Sequence, residues 1–381
     1  MDCAEKWKRR SATFSRVWFV GASLMLVAMT PGVTRAQVPP NIEEGLLKIG
    51  HIVDPICTSK LYRPLMPPND INSSVTPLYP GVTILRDQSF GPDPKDVVDI
   101  FTADKGPGNR PVLIYVPGGP GNKMEIGKEG AAFFDNIGRW ATENGMVGVL
   151  MQRHAGRDYY AGAKDVSAMI QWVQANISKY QGSPDRMFAW AHSAGNGPLG
   201  IYLGHPDLYG PKGVGLKGVV FMSGQFNILR ADGTNPVPPA AAPAGNPTAG
   251  AGKACGAAPE GGGPAAGGGG GAGRGPGGPG AAAGGPPQVS QEELIARSSL
   301  PELDKTNVKI FLASAELDPG VDGGMSPFNQ ALHDELCKAG PDHCPAMLFG
   351  KGESHMGEVF SIDTPDKSVS GPILAWMQKI K

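Results

Sequence analysis

The chain has 381 residues, and its 34 Lys and Arg against 35 Asp and Glu give a formal net charge of −1. This balance provides no basic surface of the kind that binds nucleic acid, and we expect no nucleic-acid partner. Glycine and proline are unevenly spread, because 46 of the 55 positions in 233–287 are Gly, Pro or Ala. Such residues have little to bury and cannot offset the entropy of ordering them, so we predict a disordered insert over 233–287.

The first 36 residues have the pattern of a secretory signal peptide. Basic residues precede an apolar run over 17–29, and small residues, Thr34 and Ala36, follow it. This order predicts cleavage after Ala36 and a mature chain that begins at Gln37. The run is shorter than the ~20 residues that cross a bilayer. We therefore expect an exported, periplasmic or extracellular protein without stable membrane association after cleavage; an uncleaved anchor is the alternative.

Four cysteines remain after the predicted cleavage, an even number that fits an oxidising compartment. Cys337 and Cys344 lie seven residues apart, across a helix end and a turn that contains proline, so they are the preferred disulfide pair. A bond between Cys57 and Cys255 is left open, and so is an unpaired state for all four. The cysteine spacing does not match a metal site, and we expect no metal.

Beyond a Pro-rich leader at 37–80, short apolar runs alternate with longer segments of helical periodicity. The predicted strands are 82–85, 97–101, 112–116, 147–151, 187–191, 218–222, 309–313 and 346–349. The predicted helices are 130–144, 164–180, 197–203, 290–299, 326–339 and 370–380. Nearly continuous apolar runs are typical of strands buried on both faces, and the alternation predicts an open, mostly parallel α/β sheet. The first two strands, close in sequence, are candidates for an antiparallel edge.

The predicted insert interrupts this pattern and divides the core into 81–232 and 288–381. It follows the strand that ends at Ser223 and Gly224, where such folds place their chemistry at the carboxyl edge of the sheet. It is either a plain disordered linker or a mobile cover over a site.

A candidate nucleophile lies where the strand 187–191 ends. The segment Ala191-His-Ser-Ala-Gly195 matches the nucleophile elbow G-x-S-x-G, with alanine in place of the first glycine. Small residues are needed two positions before and after the serine because the turn is strained and closely packed. We therefore predict that Ser193 is the nucleophile.

A glycine-rich loop follows the strand 112–116 and has the sequence Pro-Gly-Gly-Pro-Gly. In acyl transfer such a loop presents backbone N–H groups to the developing oxyanion. Pro120 has no N–H, so the predicted donors are Gly118 or Gly119 together with Ala194, the residue after the serine. A phosphate-binding loop is disfavoured, because no Lys-Ser/Thr pair follows.

A serine hydroxyl needs a base, and the base needs a carboxylate that orients it. Asp318 follows the strand 309–313, and His355 lies further along the chain, which gives the order Ser, Asp, His expected of α/β-hydrolases. Glu316 is a weaker candidate for the acid. His192 and His154 are predicted to be structural or pocket-lining, and the four remaining histidines solvated or capping.

At this point the chain resembles the α/β-hydrolase carboxylesterases related to the hormone-sensitive lipase, feruloyl esterase and kynurenine formamidase groups. Beside the elbow and the loops just described, the similarity depends on 96–101, on Asp165 with 172–177, on 183–186 and on 223–224. Those esterases usually have His-Gly-Gly in the oxyanion loop, and Pro117 replaces the His here. The loop is also similar to that of proline iminopeptidases, whose nucleophile is followed by Trp where this chain has Ala194.

The resemblance implies an α/β-hydrolase fold with the insert at the cap position. It also implies a secreted serine hydrolase that cleaves small or medium carboxylic esters and needs no cofactor. The partner expected is a small-molecule ester. Two alternatives stay open: an exported aminopeptidase or amidase on the same fold, and a catalytically silent binding protein.

Overall fold

The computed structural model describes residues 37–66, 79–126, 132–154, 159–224, 227–238, 247–257, 290–320 and 326–380. These all belong to one compact unit, Ala36–Lys381. The predicted signal peptide, residues 1–36, lies outside the described residues. Within the described ranges no helix is both long and apolar enough to cross a membrane.

Eight strands form the main sheet, and two more pair in a small hairpin. In chain order the ten are β1 (Val82–Ser89), β2 (Val97–Ala103), β3 (Arg110–Val116), β4 (Glu125–Ile126), β5 (Ala132–Phe133), β6 (Val147–Met151), β7 (Gly182–His192), β8 (Gly218–Met222), β9 (Lys309–Leu317) and β10 (Ala346–Ser354). The main sheet has the order β1-β2-β6-β3-β7-β8-β9-β10, and β4 pairs with β5.

The strand directions identify the fold. β2 runs antiparallel to both of its neighbours, β1 and β6, and every other pair in the main sheet is parallel. This mixed sheet, flanked by helices, is the α/β-hydrolase fold. The eight predicted strand positions and the antiparallel edge are confirmed, because strands buried on both faces give uninterrupted apolar runs.

Helices cover both faces of the sheet. They are α1 (Pro40–Ile49), α2 (Pro55–Tyr62), α3 (Asp135–Glu143), α4 (Tyr159–Asn176), α5 (Asn196–Gly204), α6 (Gln291–Ala296), α7 (Leu300–Leu303), α8 (Ser326–Cys337), α9 (Gly357–Phe360) and α10 (Ser370–Met377). Along β3, Val112 and Ile114 pack into one hydrophobic cluster with α4, α5 and α8, whereas Leu113 and Tyr115 pack into the other with α1, α3 and α10. The alternation follows the two-residue period of a strand.

The Pro-rich leader is folded in its first part. Proline occupies the first turn of both α1 and α2, where its missing N–H costs nothing. Ile42, Leu46 and Ile49 are buried on one side of α1, and Tyr62 is buried at the end of α2. These two helices therefore belong to the core of the domain.

The prediction that all of 233–287 is disordered is wrong for 233–238 and 247–257. Val237 is buried in the core. A disulfide joins Cys255 to Cys57 in α2, and the N–H of Gly252 donates to Asp54 Oδ2 over 2.9 Å. These bonds offset the ordering entropy that composition alone could not. Residues 239–246 and 258–289 lie outside the described residues.

A second disulfide joins Cys337, at the end of α8, to Cys344. The structure thus contains both the preferred cysteine pair and the one that the sequence left open.

Candidate active site

Ser193 lies at a sharp turn between β7 and α5. Its φ of +52° falls in the left-handed region, which is uncommon for a residue with a side chain and marks strain. Gly195 packs so closely on β3 that a Cβ there would lie 2.4 Å from the carbonyl oxygen of Val116. Ala191, in place of the first glycine of the elbow, is fully buried. The turn thus needs glycine on one side of the serine and accepts a methyl group on the other.

Three side chains that the sequence singled out form one hydrogen-bonded chain. His355 Nε2 lies 2.9 Å from Ser193 Oγ, and His355 Nδ1 lies 2.8 Å from Asp318 Oδ1. Asp318 is fully buried and His355 is 3% exposed, whereas Ser193 is partly exposed. These hydrogen bonds therefore connect a carboxylate that is shielded from solvent to a hydroxyl that is partly exposed to it.

The surroundings of Asp318 fix the tautomer of the histidine. Asp318 Oδ2 accepts from Ser223 Oγ over 2.7 Å and from the backbone N–H of Ala315 over 3.0 Å. An ionised carboxylate can only accept, so the Nδ1 of His355 is the donor to Oδ1. Nε2 is then left as the acceptor that faces Ser193 Oγ. Glu316, the weaker candidate for the acid, instead accepts from the N–H of Gly352 over 2.7 Å.

Two further histidines hold the backbone of the site. His192 Nε2 donates to the carbonyl of His355 over 2.9 Å, and burial, followed by the neighbouring His355, lowers the pKa of His192 well below its ordinary value. His192 is therefore neutral at pH 7 and structural, as the sequence suggested. His51 is exposed, in line with the expectation that it is solvated or capping, and its Nδ1 donates to the carbonyl of Asp318 over 3.1 Å. Residue spacing carries no signal for that contact.

The glycine-rich loop lies against Ser193. A Cβ on Gly118 would lie 2.6 Å from Ser193 Cβ and 2.9 Å from the carbonyl of His192, so only glycine fits there. Gly119 has a φ of +50°, and the N–H of Gly121 donates to the Gly118 carbonyl over 2.9 Å. Ala194 follows the serine directly. The structure thus brings Gly118, one of the predicted oxyanion donors, to the side of Ser193.

Two buried acids, Glu353 and Glu358, lie on either side of His355 along the chain, and no sequence pattern predicts their burial. Burial, and then the nearby Asp366, raises the pKa of Glu353 to about 8. Glu353 accepts a hydrogen bond from Tyr62 Oη over 3.1 Å. Burial, and then the charge of Asp318, raises the pKa of Glu358 well above its ordinary value. The buried environment therefore disfavours a negative charge on both carboxyls.

Asp96, His154 and Asp165 are the one group of acidic and imidazole side chains in the described ranges that is close enough to share an ion. His154 Nδ1 lies 3.0 Å from Asp165 Oδ2, and Asp96 Oδ2 accepts from the N–H of Asp93 over 3.0 Å. Both carboxylates therefore already serve local hydrogen bonds. We therefore interpret the group as structural, in line with the expectation that His154 is structural or pocket-lining.

No protein-family model matches the chain, and no curated protein matches it. Similar solved structures include a truncated carbohydrate esterase from gut microbiota, at 12% identity over 78% of this chain and 95% of that chain with a TM-score of 0.48. A bacterial heroin esterase is 16% identical over 91% of this chain and 96% of that chain, with a TM-score of 0.49. A bifunctional GH43-CE protein of Bacteroides eggerthii is 16% identical over 78% of this chain and 38% of that chain, with a TM-score of 0.50. This chain thus spans less than half of the bifunctional protein. At such identities the similarity extends to the fold alone.

Proposed function

We propose that this protein is an exported serine hydrolase that cleaves small or medium carboxylic esters. The observation that carries the proposal is the continuous chain of hydrogen bonds from Asp318 through His355 to Ser193, at distances of 2.8 and 2.9 Å. A strained serine, a histidine in the correct tautomer and a buried carboxylate are the parts that acyl transfer to an enzyme hydroxyl requires.

In the proposed reaction Ser193 Oγ attacks the ester carbonyl while His355 Nε2 takes its proton. Asp318 keeps the imidazole oriented and stabilises the imidazolium that forms. The backbone N–H groups of Gly118 or Gly119 and of Ala194 stabilise the oxyanion of the tetrahedral intermediate. His355 then protonates the leaving alcohol, and a water activated by the same histidine hydrolyses the acyl-enzyme. Each step uses groups of this chain and water.

Export is supported by two independent features. Residues 1–36 have the order of regions found in signal peptides, and the described part of the chain holds two disulfides, which form and persist in oxidising compartments. Mass analysis of protein recovered from the exported fraction should find Gln37 at or near the amino terminus. A chain that begins at Met1 there would overturn cleavage after Ala36.

The test of activity is hydrolysis of p-nitrophenyl acetate by the purified mature protein. Ser193→Ala should retain the wild-type melting temperature and lose nearly all activity, because the change deletes the nucleophile without altering the core. Ser59→Ala is the matched control, since that hydroxyl donates only within α2, to the carbonyl of Ile56. It should keep full activity.

A fluorophosphonate probe and a prolyl arylamide separate the proposal from its two alternatives. We expect the probe to label the wild-type protein but not Ser193→Ala, and the ester to be turned over faster than the arylamide. Absence of labelling would indicate a silent binding protein. Preference for the arylamide would replace the esterase with an amidase or aminopeptidase on the same site.

A further inference from the structure

A loop of two prolines and three glycines has few means of holding its own shape. Gly119 and Gly121 both adopt positive φ, +50° and +88°, and glycine enters and leaves that region freely. Pro117, which begins the loop, has neither an N–H nor a side-chain donor. The internal hydrogen bond from the N–H of Gly121 to the Gly118 carbonyl fixes one turn only. An external group must therefore fix the rest.

Arg153, just beyond the end of β6, contacts three carbonyls of this loop. Its Nε donates to Pro117 over 3.0 Å and its Nη2 to Gly119 over 2.5 Å. Its own backbone N–H donates to the carbonyl of Gly121 over 2.7 Å. The side chain is only 5% exposed, so these bonds compete little with water.

The arginine is itself held in place. The N–H of the preceding residue, Gln152, donates to the carbonyl of Val97 in β2. On the loop side, a Cβ on Gly121 would lie 2.5 Å from the carbonyl of Arg153, so the two backbones are in close contact. The guanidinium projects from a rigid strand end into the loop.

The contact with Pro117 has a direct consequence for catalysis. In a planar trans peptide the C=O and the following N–H point in opposite directions. The bond from Arg153 to the Pro117 carbonyl therefore turns the N–H of Gly118 away from the arginine. Among the described residues that N–H has no backbone acceptor, and Gly118 lies against Ser193.

We propose that Arg153 is the positioning residue of the oxyanion hole, orienting the N–H of Gly118 through the carbonyl of Pro117. This rests on the proposed esterase function. Arginine suits the task because its planar fork places two donors at fixed angles, which a lysine ammonium on a flexible stem does not.

The test compares Arg153→Gln and Arg153→Lys with Arg110→Gln. Arg110 is a matched control: it is also buried, and its guanidinium donates to the carbonyls of Pro107 and Lys105 at the start of β3, the opposite end of that strand from the loop. Arg153→Gln should lower kcat on p-nitrophenyl acetate by on the order of 10², with KM changed by less than about threefold, because the donor acts in the transition state. Arg153→Lys should recover part of the loss, and it replaces the glutamine variant if that one does not fold.

Arg110→Gln should lower the melting temperature while keeping kcat within about threefold of wild type. Affinity for a boronic acid that forms a tetrahedral adduct with the serine should fall in parallel with kcat/KM in the Arg153 variants. An Arg153→Gln kcat within about threefold of wild type, or an equal loss in Arg110→Gln, would overturn the proposal.

Amide hydrogen exchange of Gly118, Gly119 and Gly121, the loop residues that carry an N–H, gives a readout that does not depend on activity. It should be faster in Arg153→Gln than in wild type or in Arg110→Gln. If the wild-type protein neither hydrolyses esters nor reacts with a fluorophosphonate, the proposed function fails, and exchange alone decides the role of Arg153. Unchanged exchange of these three glycines would then reject that role.

Discussion

Gly118→Ala tests how closely the glycine-rich loop fits against Ser193, the proposed nucleophile. The new Cβ would lie 2.6 Å from Ser193 Cβ and 2.9 Å from the carbonyl of His192. Carbon atoms in contact are separated by about 3.5–4.0 Å, so the loop and the elbow must move apart by about 1 Å. A displacement of about 1 Å at a reacting group costs on the order of 10²-fold in rate. We therefore expect kcat to fall about 10²-fold, together with a stability loss of about 1–3 kcal/mol from overpacking.

Gly119→Ala is the matched control in the same loop. Among the described residues, chain neighbours aside, no heavy atom lies within 4 Å of a Cβ at that position, so the cost is the left-handed backbone, about 1–2 kcal/mol. Its N–H is retained, and we expect kcat to change by no more than about fivefold. Steady-state kinetics on p-nitrophenyl acetate with a melting curve for each variant is the assay. The steric reasoning would be refuted if the kcat of Gly118→Ala lay within about threefold of the wild-type kcat. It would also be refuted if the kcat values of Gly118→Ala and Gly119→Ala differed by less than about threefold.

Three more predictions concern the acid, a buried proton and a disulfide. Asp318→Asn should lower kcat by roughly 10³–10⁴-fold through misorientation of the base, whereas Glu316→Gln should be mild; the reverse ranking would show that Glu316 is the acid. Burial raises the pKa of Glu353 from 4.5 to about 8 in the folded state. The preference of the folded state for the protonated carboxyl adds to the free energy of unfolding; this contribution is complete below pH 4.5 and is lost as the pH rises to 8. Wild-type unfolding free energy should thus fall by up to about 1.4 kcal/mol per pH unit across that window, and urea titrations of Glu353→Gln that show the same slope would contradict this. Replacing Cys57 and Cys255 by Ser removes a disulfide that spans 198 residues, worth on the order of 5 kcal/mol by chain entropy. The melting temperature of this variant should therefore fall further than that of a variant with Cys337 and Cys344 replaced by Ser, whose disulfide spans seven residues.

The positions of the strands could be predicted from the sequence because parallel strands in this fold are buried on both faces. Val112 and Ile114 face one cluster, and Leu113 and Tyr115 face the other. No polar residue interrupts the run 112–116, and the pattern is visible without any structure. Residues at the carboxyl ends of such strands share one edge, which is why candidates chosen far apart in sequence meet in space.

The supporting groups could not be predicted, because their roles depend on contacts rather than on pattern. Arg153 follows a strand as one charged residue among several, and only its distance to Pro117 and Gly119 distinguishes it. Glu353 and Glu358 belong to segments whose local sequence resembles an ordinary polar loop. Burial raises the pKa of both carboxyls, and their burial is set by the tertiary structure.

Composition was misleading at the insert for a physical reason. Gly, Pro and Ala offer little surface to bury, but covalent and capping bonds replace burial in 247–257. Asp54 accepts from the N–H of Cys57 and, through its second oxygen, from the insert. The disulfide to Cys255 adds a covalent link at the same helix start. Three residues earlier, His51 donates to the backbone of Asp318. The amino-terminal helices and the turn between them therefore contact both the described part of the insert and the backbone of Asp318.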